Sequence, residues 1–498
     1  MSLWRKKSIN ALLAEANESE KGLKKTLSAM SLVALGIGAI IGAGLFVQTA
    51  RAAAECSGNA VTLSFLFAAV GCLFAGLCYA EFAAMIPIAG SAYTYAYTTM
   101  GELVAWIIGW ALILEYAIGA ATVSIAWTEY INKLLHEVFN ITIPYAWSHS
   151  PFQISPAGIH GIVDLPAVFI VLILSLLLIK GTQASASVNA IIVCIKVAIV
   201  LAFICVGWQF IKPANHTPFL IPANEPSVAG HDYSATFNHG WLGVLHGAGI
   251  VFFAFIGFDA VSTAAQETKN PKRDMPIGIL GSLAICTVLY VLFSWVLTGV
   301  APYHVFLTAG KEASVTYAVS HYMLGYSWLA TAVTIAILLG FSSVILVMLL
   351  GQSRVFYSMS NDGLLPKVFS DLHPKFRTPY KSNLILFLFV GLFAAFIPES
   401  VAGDLTSIGT LLAFTLVCLG ILILRKTDPD RPRPFRVPFV PVVPVLGIIV
   451  CLLMIIGLDI RTIMTAVSWM VLGLVIFFVY SRRHSNIGRE NMPPPEKQ

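Results

Sequence analysis

The sequence has 498 residues, of which 57% are hydrophobic and only 11% are charged, with a mean hydropathy of +0.82 and a net charge of +5. Soluble proteins carry about 25% charged residues. The composition therefore excludes an ordinary soluble protein and predicts a chain that lies mostly in a lipid bilayer.

The N-terminal segment 1–27 is polar and basic, and it precedes the first apolar stretch. That stretch is too long to be the core of a cleaved secretory signal. We therefore expect 1–27 to be a cytoplasmic N-terminal segment, 28–481 to form a transmembrane domain, and 482–498 to be a cytoplasmic C-terminal tail.

A membrane-spanning helix needs about 20 mostly apolar residues. The apolar stretches of this chain predict about twelve such spans, numbered here in chain order: 28–50, 60–85, 101–131, 163–180, 186–210, 241–265, 276–299, 315–357, 382–397, 401–424, 438–458 and 462–481. Spans 3 and 8 are longer than a bilayer requires, which predicts tilt or extension into the cytosol.

The 30 lysines and arginines are unevenly divided between the two sides that these spans define. With the N-terminus in the cytosol, 24 of them lie on the cytosolic side and 5 lie outside, while Lys196 lies within span 5. This is the positive-inside pattern of multi-span proteins. It predicts an all-α polytopic integral membrane protein with both termini cytoplasmic. The basic excess reports orientation and does not indicate nucleic acid as a partner.

Span 1 contains GIGAIIGAG at residues 36–44, although each interior glycine costs a helix roughly 1 kcal/mol relative to alanine. One interpretation is helix packing, because Gly38 and Gly42 have the spacing of a GxxxG face. The other is a broken helix, which membrane proteins tolerate only where the freed backbone lines a cavity or is buried in protein.

Span 6 favours the second interpretation. Its sequence GAGIVFFAFIGFDAVSTAAQE, residues 247–267, places glycines around an aromatic cluster. Weakened spans at positions one and six are expected from a five-plus-five inverted repeat in which the first span of each half is broken. A break frees N–H groups that attract a carboxylate and carbonyl groups that attract a cation. The two breaks together therefore predict a site for a zwitterion.

Three stretches carry a family resemblance: LGIGAIIGAGLFV, CYAEFAAMIPIAGSAYTYAY and FFAFIGFDAVSTAAQETKNPKRDMPIGI. They resemble the amino acid–polyamine–organocation superfamily and, more narrowly, the cationic amino acid transporter family in its twelve-span bacterial form. The resemblance covers nearly the whole chain, and the span 6 motif running into NPKRDMP is its most specific part. It implies that the substrate backbone meets Ile40, Ile41, Gly42, Ala43 and Gly44.

The resemblance also implies individual roles. The amides of Gly42 to Gly44 would take the carboxylate, and carbonyls near Ile40 and around Phe253, Ala254 and Ile256 would take the ammonium group. Phe253 would close over the substrate as a gate. Similar proteins often carry Thr or Ser in place of the alanine at position 43, so this chain relies more on backbone donors.

Lys196 lies about ten residues into span 5, which is roughly 15 Å at the helical rise. A lysine at the centre of a membrane costs about 2.5–3.5 kcal/mol or more and indicates function by default. A lysine that snorkels to the cytosolic face is the alternative, which this depth disfavours. In similar transporters, a lysine on span 5 touches the span 1 break in place of a sodium ion. The resemblance thus implies that Lys196 couples protons to transport.

Other candidates lie in spans 3 and 8. Glu115 is the natural counter-charge for Lys196 or for a cationic substrate, and we expect it to assist proton coupling; a purely structural ion pair is the alternative. Ser343 and Met348 are candidate pocket residues, although serines often bond to their own helix. By the resemblance, Met348 faces the substrate side chain, where its bulk would favour small or neutral substrates over arginine.

Other functional classes have no supporting residues. The 11 histidines are dispersed, and we find neither a catalytic cluster for a membrane enzyme nor a selectivity filter for a channel. The eight cysteines show no metal or disulfide spacing, and no cofactor is expected. With the resemblance, the sequence predicts a secondary active permease for L-amino acids in the inner or plasma membrane, coupled to protons and working by alternating access.

An amino acid exchanger of the same fold and a non-transporting amino acid sensor are the alternatives. The family name favours cationic substrates and Met348 favours small neutral ones, and the sequence leaves both open. The expected partners are an amino acid, protons and the lipid bilayer. A small single-span membrane protein is compatible with this interpretation, although no residue requires one.

Overall fold

The computed structural model describes residues 4–9, 12, 25–42, 44–155, 158–307, 314–397, 399–456 and 460–486. All regular structure in these residues is helical, apart from isolated bridges between single residues. The main helices are α1 (Ala29–Ile40), α2 (Val61–Met85), α3 (Glu102–Phe139), α4 (Leu165–Lys180), α5 (Thr182–Gly207), α6 (Gly240–Phe252), α7 (Pro271–Val300), α8 (Ser327–Asn361), α9 (Tyr380–Phe396), α10 (Glu399–Thr427), α11 (Val442–Ile456) and α12 (Ile460–Ile476).

Eight helical segments in the described residues are long and apolar enough to cross a membrane. They are Gly44–Met85, Glu102–Phe139, Ala184–Phe210, Gly240–Thr263, Pro271–Val300, Ser327–Asn361, Leu405–Thr427 and Thr462–His484, and α1, α4, α9 and α11 are shorter apolar helices. The predicted all-α polytopic class is therefore confirmed. The count of twelve crossings and the cytosolic location of both termini stay predictions.

The first break follows α1. The helix begins after Ser28, whose hydroxyl accepts a hydrogen bond from the Ser31 amide, and it ends at Ile40 because Ile41 has extended backbone angles (φ −76°, ψ 101°). The chain becomes helical again with the wide turn Gly44–Gln48 and continues to Ser57. The predicted break in span 1 is confirmed, although Ala43 itself lies outside the described residues.

The second break follows α6. A 3-10 turn, Phe253–Phe255, leads to Ile256, which is not helical (φ −59°, ψ 137°). Gly257 then adopts φ +111°, a conformation that residues with a side chain rarely reach. Helical structure returns at Ala260–Thr263. The predicted break in span 6 is thus confirmed.

Two predicted spans need correction. The stretch predicted as one span over 315–357 contains two helices, Ser314–Tyr322 and α8, because the chain turns at Gly325 with φ +88°. The third span was predicted to end at residue 131, yet α3 continues as far as Phe139, where Asn140 ends it in a left-handed conformation. Hydropathy missed this end because the last turns of α3 are polar on one face.

The two breaks lie in the middle of the bundle. α7 packs against α1 and α2, and α8 packs against α3 and α5. α8 is the most enclosed of the long apolar helices. In its 18-residue apolar stretch 89% of the residues are buried, whereas the value for the helical segment Thr462–His484 is 17%. The surroundings of the breaks are therefore built by α3, α5, α7 and α8.

Candidate substrate and proton site

Lys196 connects α5 to the first break. Its buried ammonium group donates hydrogen bonds to the carbonyl oxygens of Gly38 (2.9 Å) and Ile41 (2.8 Å) and to the hydroxyl of Ser343 (2.8 Å). An ammonium group has three donors and no acceptor, so these three partners satisfy the charged form completely. The structure therefore places Lys196, Ser343 and Ile41, which were separate candidates in the sequence, together at the first break.

Tyr290 connects α7 to both breaks. Its hydroxyl lies 2.7 Å from the carbonyl oxygen of Ile40 and 2.9 Å from that of Ala254, with hydrogen-bond geometry to each. The breaks also touch directly, since a Cβ atom added to Gly44 would overlap the backbone of Ala254. The carbonyl ends of the two broken helices are therefore held side by side.

Phe253 and Ile256 flank Ala254 at the second break. Ile256 is buried, whereas Phe253 is only partly buried. Gly257 lies against α1, where an added Cβ would be 2.7 Å from the Cβ of Ala39. Only glycine fits there, because the position combines a positive φ with a close approach of two backbones.

One face of α8 passes from the first break towards α3. Ser343 bonds to Lys196, and one position further Val344 contacts Gly42, where an added Cβ would lie 2.5 Å from the Val344 Cγ2. Met348, one turn on, is buried against α3. By contrast, Ser342 donates to the carbonyl of Leu338 in its own helix.

Glu115 lies in a π-helical turn of α3, Leu114–Ile118. Such wide turns often occur at functional sites. Of the two partners considered for Glu115, Lys196 or a cationic substrate, the described residues show no ion pair with Lys196 in this conformation. Glu115 instead interacts with the carboxyl group of Asp259, just after the second break.

The two carboxyl groups lack donors. The hydroxyl of Tyr116 donates to Asp259 Oδ2, but within the described part of the chain both Glu115 oxygens and Asp259 Oδ1 have no hydrogen-bond partner. Both side chains are fully buried. Ionised carboxylates are acceptors only, so two of them cannot bond to each other. One proton on either group would supply the missing donor.

Ion pairs join the helices on the side of the N-terminus. Arg354 on α8 lies 2.7 Å from Glu267, which follows the second break, and both side chains are almost fully buried. Lys7 lies 2.7 Å from Asp362 at the end of α8. Glu81 at the end of α2 accepts hydrogen bonds from Arg425, Arg433 and the amide of Val437. These bonds connect the second break, α8 and α2 to neighbouring segments on this side.

The loop 211–240 covers the opposite end of the broken first helix. Tyr233 is buried, and its hydroxyl donates to the carbonyl of Ala54 at 2.7 Å. His231 lies 2.6 Å from the carbonyl of Glu55, and Asn59 donates to the carbonyl of Pro218. Both ends of the central region are thus closed by specific contacts in this conformation.

Three features of the site were not predicted from the sequence: the contacts of Tyr290, the contact of Tyr116, and the pairing of Asp259 with Glu115. Tyr290 left a weak signal, because a tyrosine in the middle of an apolar span needs a partner for its hydroxyl. Asp259 directly precedes the helical turn Ala260–Thr263 that follows the second break. It occupies the N-cap position, but its side chain makes no capping hydrogen bond and accepts from Tyr116 instead.

The fold and the paired breaks define a multi-pass membrane transporter. A family model described as amino acid permease matches residues 27–490. The chain therefore belongs to the amino acid permease family, within the superfamily that its motifs resemble.

Several curated proteins are similar over most of the chain. The branched-chain amino acid permease BcaP of Bacillus subtilis (strain 168) is 43% identical over 488 residues, which cover 98% of this chain and 99% of that protein. The methylthioribose transporter of the same organism is 40% identical, covering 98% of this chain and all of the relative. The vacuolar cationic amino acid transporter 4 of Arabidopsis thaliana is 35% identical, covering 86% and 68%. These relatives are named as permeases and transporters, which supports a transporter and not an enzyme.

Proposed function

We propose that this permease takes up apolar L-amino acids together with protons by alternating access. The observation that carries the proposal is the set of hydrogen bonds from Lys196 to Gly38, Ile41 and Ser343. A charged group at mid-membrane is costly and indicates function. Here it lies on the backbone that a zwitterionic substrate would contact.

The coupling follows from the donors of Lys196. The protonated amine satisfies three acceptors, whereas the neutral amine has only two N–H donors. Loss of the proton would remove the charge and one N–H donor, so the amine could donate to only two of its three partners, and the Ser343 hydroxyl, which also lies 2.8 Å from the Gly38 carbonyl oxygen, would have to rearrange. Proton occupancy of Lys196 would change the stability of the binding-competent break, and Glu115 with Asp259 would provide a second place for a proton.

The substrate backbone would bind between the two breaks. The carbonyl oxygens of Ile40 and Ala254 each have a second lone pair beyond the one directed at Tyr290, so they can accept from the substrate ammonium group. The amides of Gly42 to Gly44 would receive the carboxylate. Phe253, partly buried beside Ala254, would close over the substrate.

Apolar side chains suit the surroundings of this site. Ile41, Val344 and Met348 are buried near the first break, and the Glu115 carboxyl interacts with Asp259 rather than projecting as a free counter-charge for arginine. Two of the similar proteins are named as branched-chain amino acid permeases. This favours neutral substrates over the cationic ones of the plant and animal relatives.

Uptake into proteoliposomes tests the proposal. Radiolabelled leucine, alanine, arginine, glutamate and methylthioribose are offered with and without an inward proton gradient. We expect leucine to accumulate only with the gradient. Flux that ignores the gradient but responds to preloaded amino acid would establish an exchanger, and binding without flux would establish a sensor. Uptake of methylthioribose alone would overturn the amino acid assignment.

A further inference from the structure

Gly119 allows Met348 to lie against α3. Gly119 is buried directly after the π-helical turn of α3, and a Cβ at this position would lie 3.0 Å from Met348 Sδ and 3.3 Å from its Cε. The same Cβ would be 3.1 Å from the Cγ2 of Thr406 on α10. At these distances a methyl group would require the Met348 thioether, the flexible end of its side chain, to shift by a few tenths of an ångström, so the present position of the methionine depends on the glycine.

Met348 lies next to the place where a substrate side chain would project. Val344 is one helical turn before Met348 and contacts Gly42 at the first break. Residues four apart on a helix lie on one face. A ligand whose backbone is held at the break would therefore direct its side chain along this face of α8 towards the Met348 thioether.

We propose that Gly119 determines which side chains are transported, by holding Met348 back and so leaving room for branched apolar amino acids. This inference rests on the proposed function, since it assumes an amino acid bound at the first break. Gly119 acts through Met348 and is a positioning residue. The unbranched, flexible methionine can move to either side of its present place, which makes it a suitable adjustable wall.

An added methyl group at position 119 has a directional effect. The methyl group would crowd the Met348 thioether from the α3 side, so the thioether would shift away from α3, and we expect it to shift towards the part of α8 that faces the first break. A leucine or isoleucine side chain would then meet the displaced methionine, whereas the methyl group of alanine would not reach it. We therefore expect a change in selectivity and not a general loss of activity.

Gly109 provides a matched control in the same pair of helices. A Cβ on Gly109 would lie 2.7 Å from the Sδ of Met359, so Gly109→Ala disturbs another contact between α3 and a methionine of α8. Met359 is eleven residues beyond Met348, roughly 16 Å along the helix at 1.5 Å per residue. If packing between α3 and α8 alone were at issue, both variants would behave alike.

The test measures KM and maximal rate for leucine, valine and alanine with the full-length protein in proteoliposomes. We expect Gly119→Ala to raise the KM for leucine on the order of 10-fold, as for an added methylene in an apolar pocket, with the KM for alanine changed less than about twofold. The Gly119→Ala/Met348→Val double variant should restore leucine uptake, and Gly109→Ala should keep the wild-type ratio. An unchanged ratio in Gly119→Ala would overturn the inference.

If Gly119→Ala does not fold, Met348→Val alone still tests the inference, because a shorter wall should improve phenylalanine uptake relative to leucine. An unchanged ratio in that variant would overturn the inference too. The proposed function fails separately: in that case the wild type takes up no amino acid at all. If the wild type takes up amino acids and the variants show unaltered selectivity, only the role of Gly119 is overturned.

Discussion

The ammonium nitrogen of Lys196 lies 2.8 Å from the carbonyl oxygen of Ile41, the residue that directly follows the end of α1. The last carbonyl groups of a helix have no partner within it. In this protein other helices supply the donors: Lys196 reaches Gly38 and Ile41, and Tyr290 reaches Ile40. The broken end is stable in the membrane because α5 and α7 cap it.

We expect Lys196→Met to abolish proton-driven accumulation. Methionine keeps most of the volume but removes all three donors, so the Ile41 carbonyl loses its donor from Lys196, the Gly38 carbonyl keeps only the Ser343 hydroxyl, and the site loses its titratable group. Accumulation of leucine under an inward proton gradient should fall at least about 10-fold, equivalent to one lost hydrogen bond of about 1.4 kcal/mol. Lys212→Met, in the loop 211–240, is the control. Unaltered accumulation in Lys196→Met would exclude Lys196 as the coupling group.

Tyr290→Phe should weaken substrate binding. It deletes one hydroxyl that lies between the carbonyls of Ile40 and Ala254, so the two breaks lose their common donor. We expect the apparent Kd for leucine, measured by ligand-dependent thermal shift, to rise about 10-fold, since a buried unsatisfied carbonyl costs about 1–3 kcal/mol. Tyr303→Phe removes a hydroxyl that donates to Glu225 in the loop 211–240, and this variant should bind leucine normally. Equal affinity in the wild type and Tyr290→Phe would show that the bridge is dispensable.

The contact between the breaks predicts that alanine substitutions at two glycines, Gly44 and Gly249, have very different effects on uptake. Gly44→Ala should abolish uptake, because its Cβ would overlap the backbone of Ala254 and neither segment can yield as a side chain could. Gly249→Ala on α6 should transport normally, because no atom outside its immediate neighbours lies within 4 Å of the added Cβ. Uptake assays on membranes with matched protein levels make the comparison. Normal transport by Gly44→Ala would argue against close contact between the breaks during the cycle.

The sequence predicted the breaks but not what holds them. The glycines around Ile41 and Gly257 weaken their own helices, which is local information, and the depth of Lys196 follows from counting along span 5. The partners Ser343 and Tyr290 depend on how α8 and α7 rotate about their axes. That rotation is set by packing between helices that are far apart in the chain, and apolar spans carry little amphipathic signal to reveal it.

The same reason explains why the sequence did not predict Asp259 as the partner of Glu115. Charge complementarity suggested Lys196 as its partner, because the two groups have opposite charge and similar depth. Glu115 lies in the π-helical turn of α3, and its carboxyl group interacts with Asp259, which follows the second break, and not with Lys196. Nothing in the local sequence of span 3 predicts the extra residue in that turn.

His149, in the segment that follows α3, should make stability depend on pH. Its Nε2 lies 3.1 Å from Glu129. Burial opposes the charged imidazolium, but the hydrogen bond and the charge of Glu129 outweigh it and raise the pKa of His149 above its usual value. The stabilisation is therefore complete below the unfolded pKa of about 6.5 and is lost as the pH rises through the folded value.

The effect should be small, about 0.2–1 kcal/mol, because the pair is partly exposed to solvent. Thermal unfolding in detergent at pH 5.5 and 8.5 compares wild type with His149→Gln. We expect the variant to be less stable at the acidic pH and equal at the alkaline pH, with His136→Gln as a control. A loss that is the same at both pH values would mean that His149 acts by packing alone.

Glu115→Gln should preserve the fold and change the pH dependence of uptake. The glutamine amide can donate to Asp259 Oδ1, which lacks a donor in the described structure, so it replaces the bond that a shared proton would make. Asp259→Asn should act similarly, and the double variant should remove the proton site altogether. Glu102→Gln, another acidic residue of α3 that accepts from Ser485, is the control. Infrared spectroscopy can detect the C=O band of a protonated carboxylic acid, which should be present in the wild type and absent in Glu115→Gln/Asp259→Asn. If the band and the pH profile of leucine uptake are both unchanged in that double variant, the pair carries no proton in the transport cycle and only joins α3 to the second break.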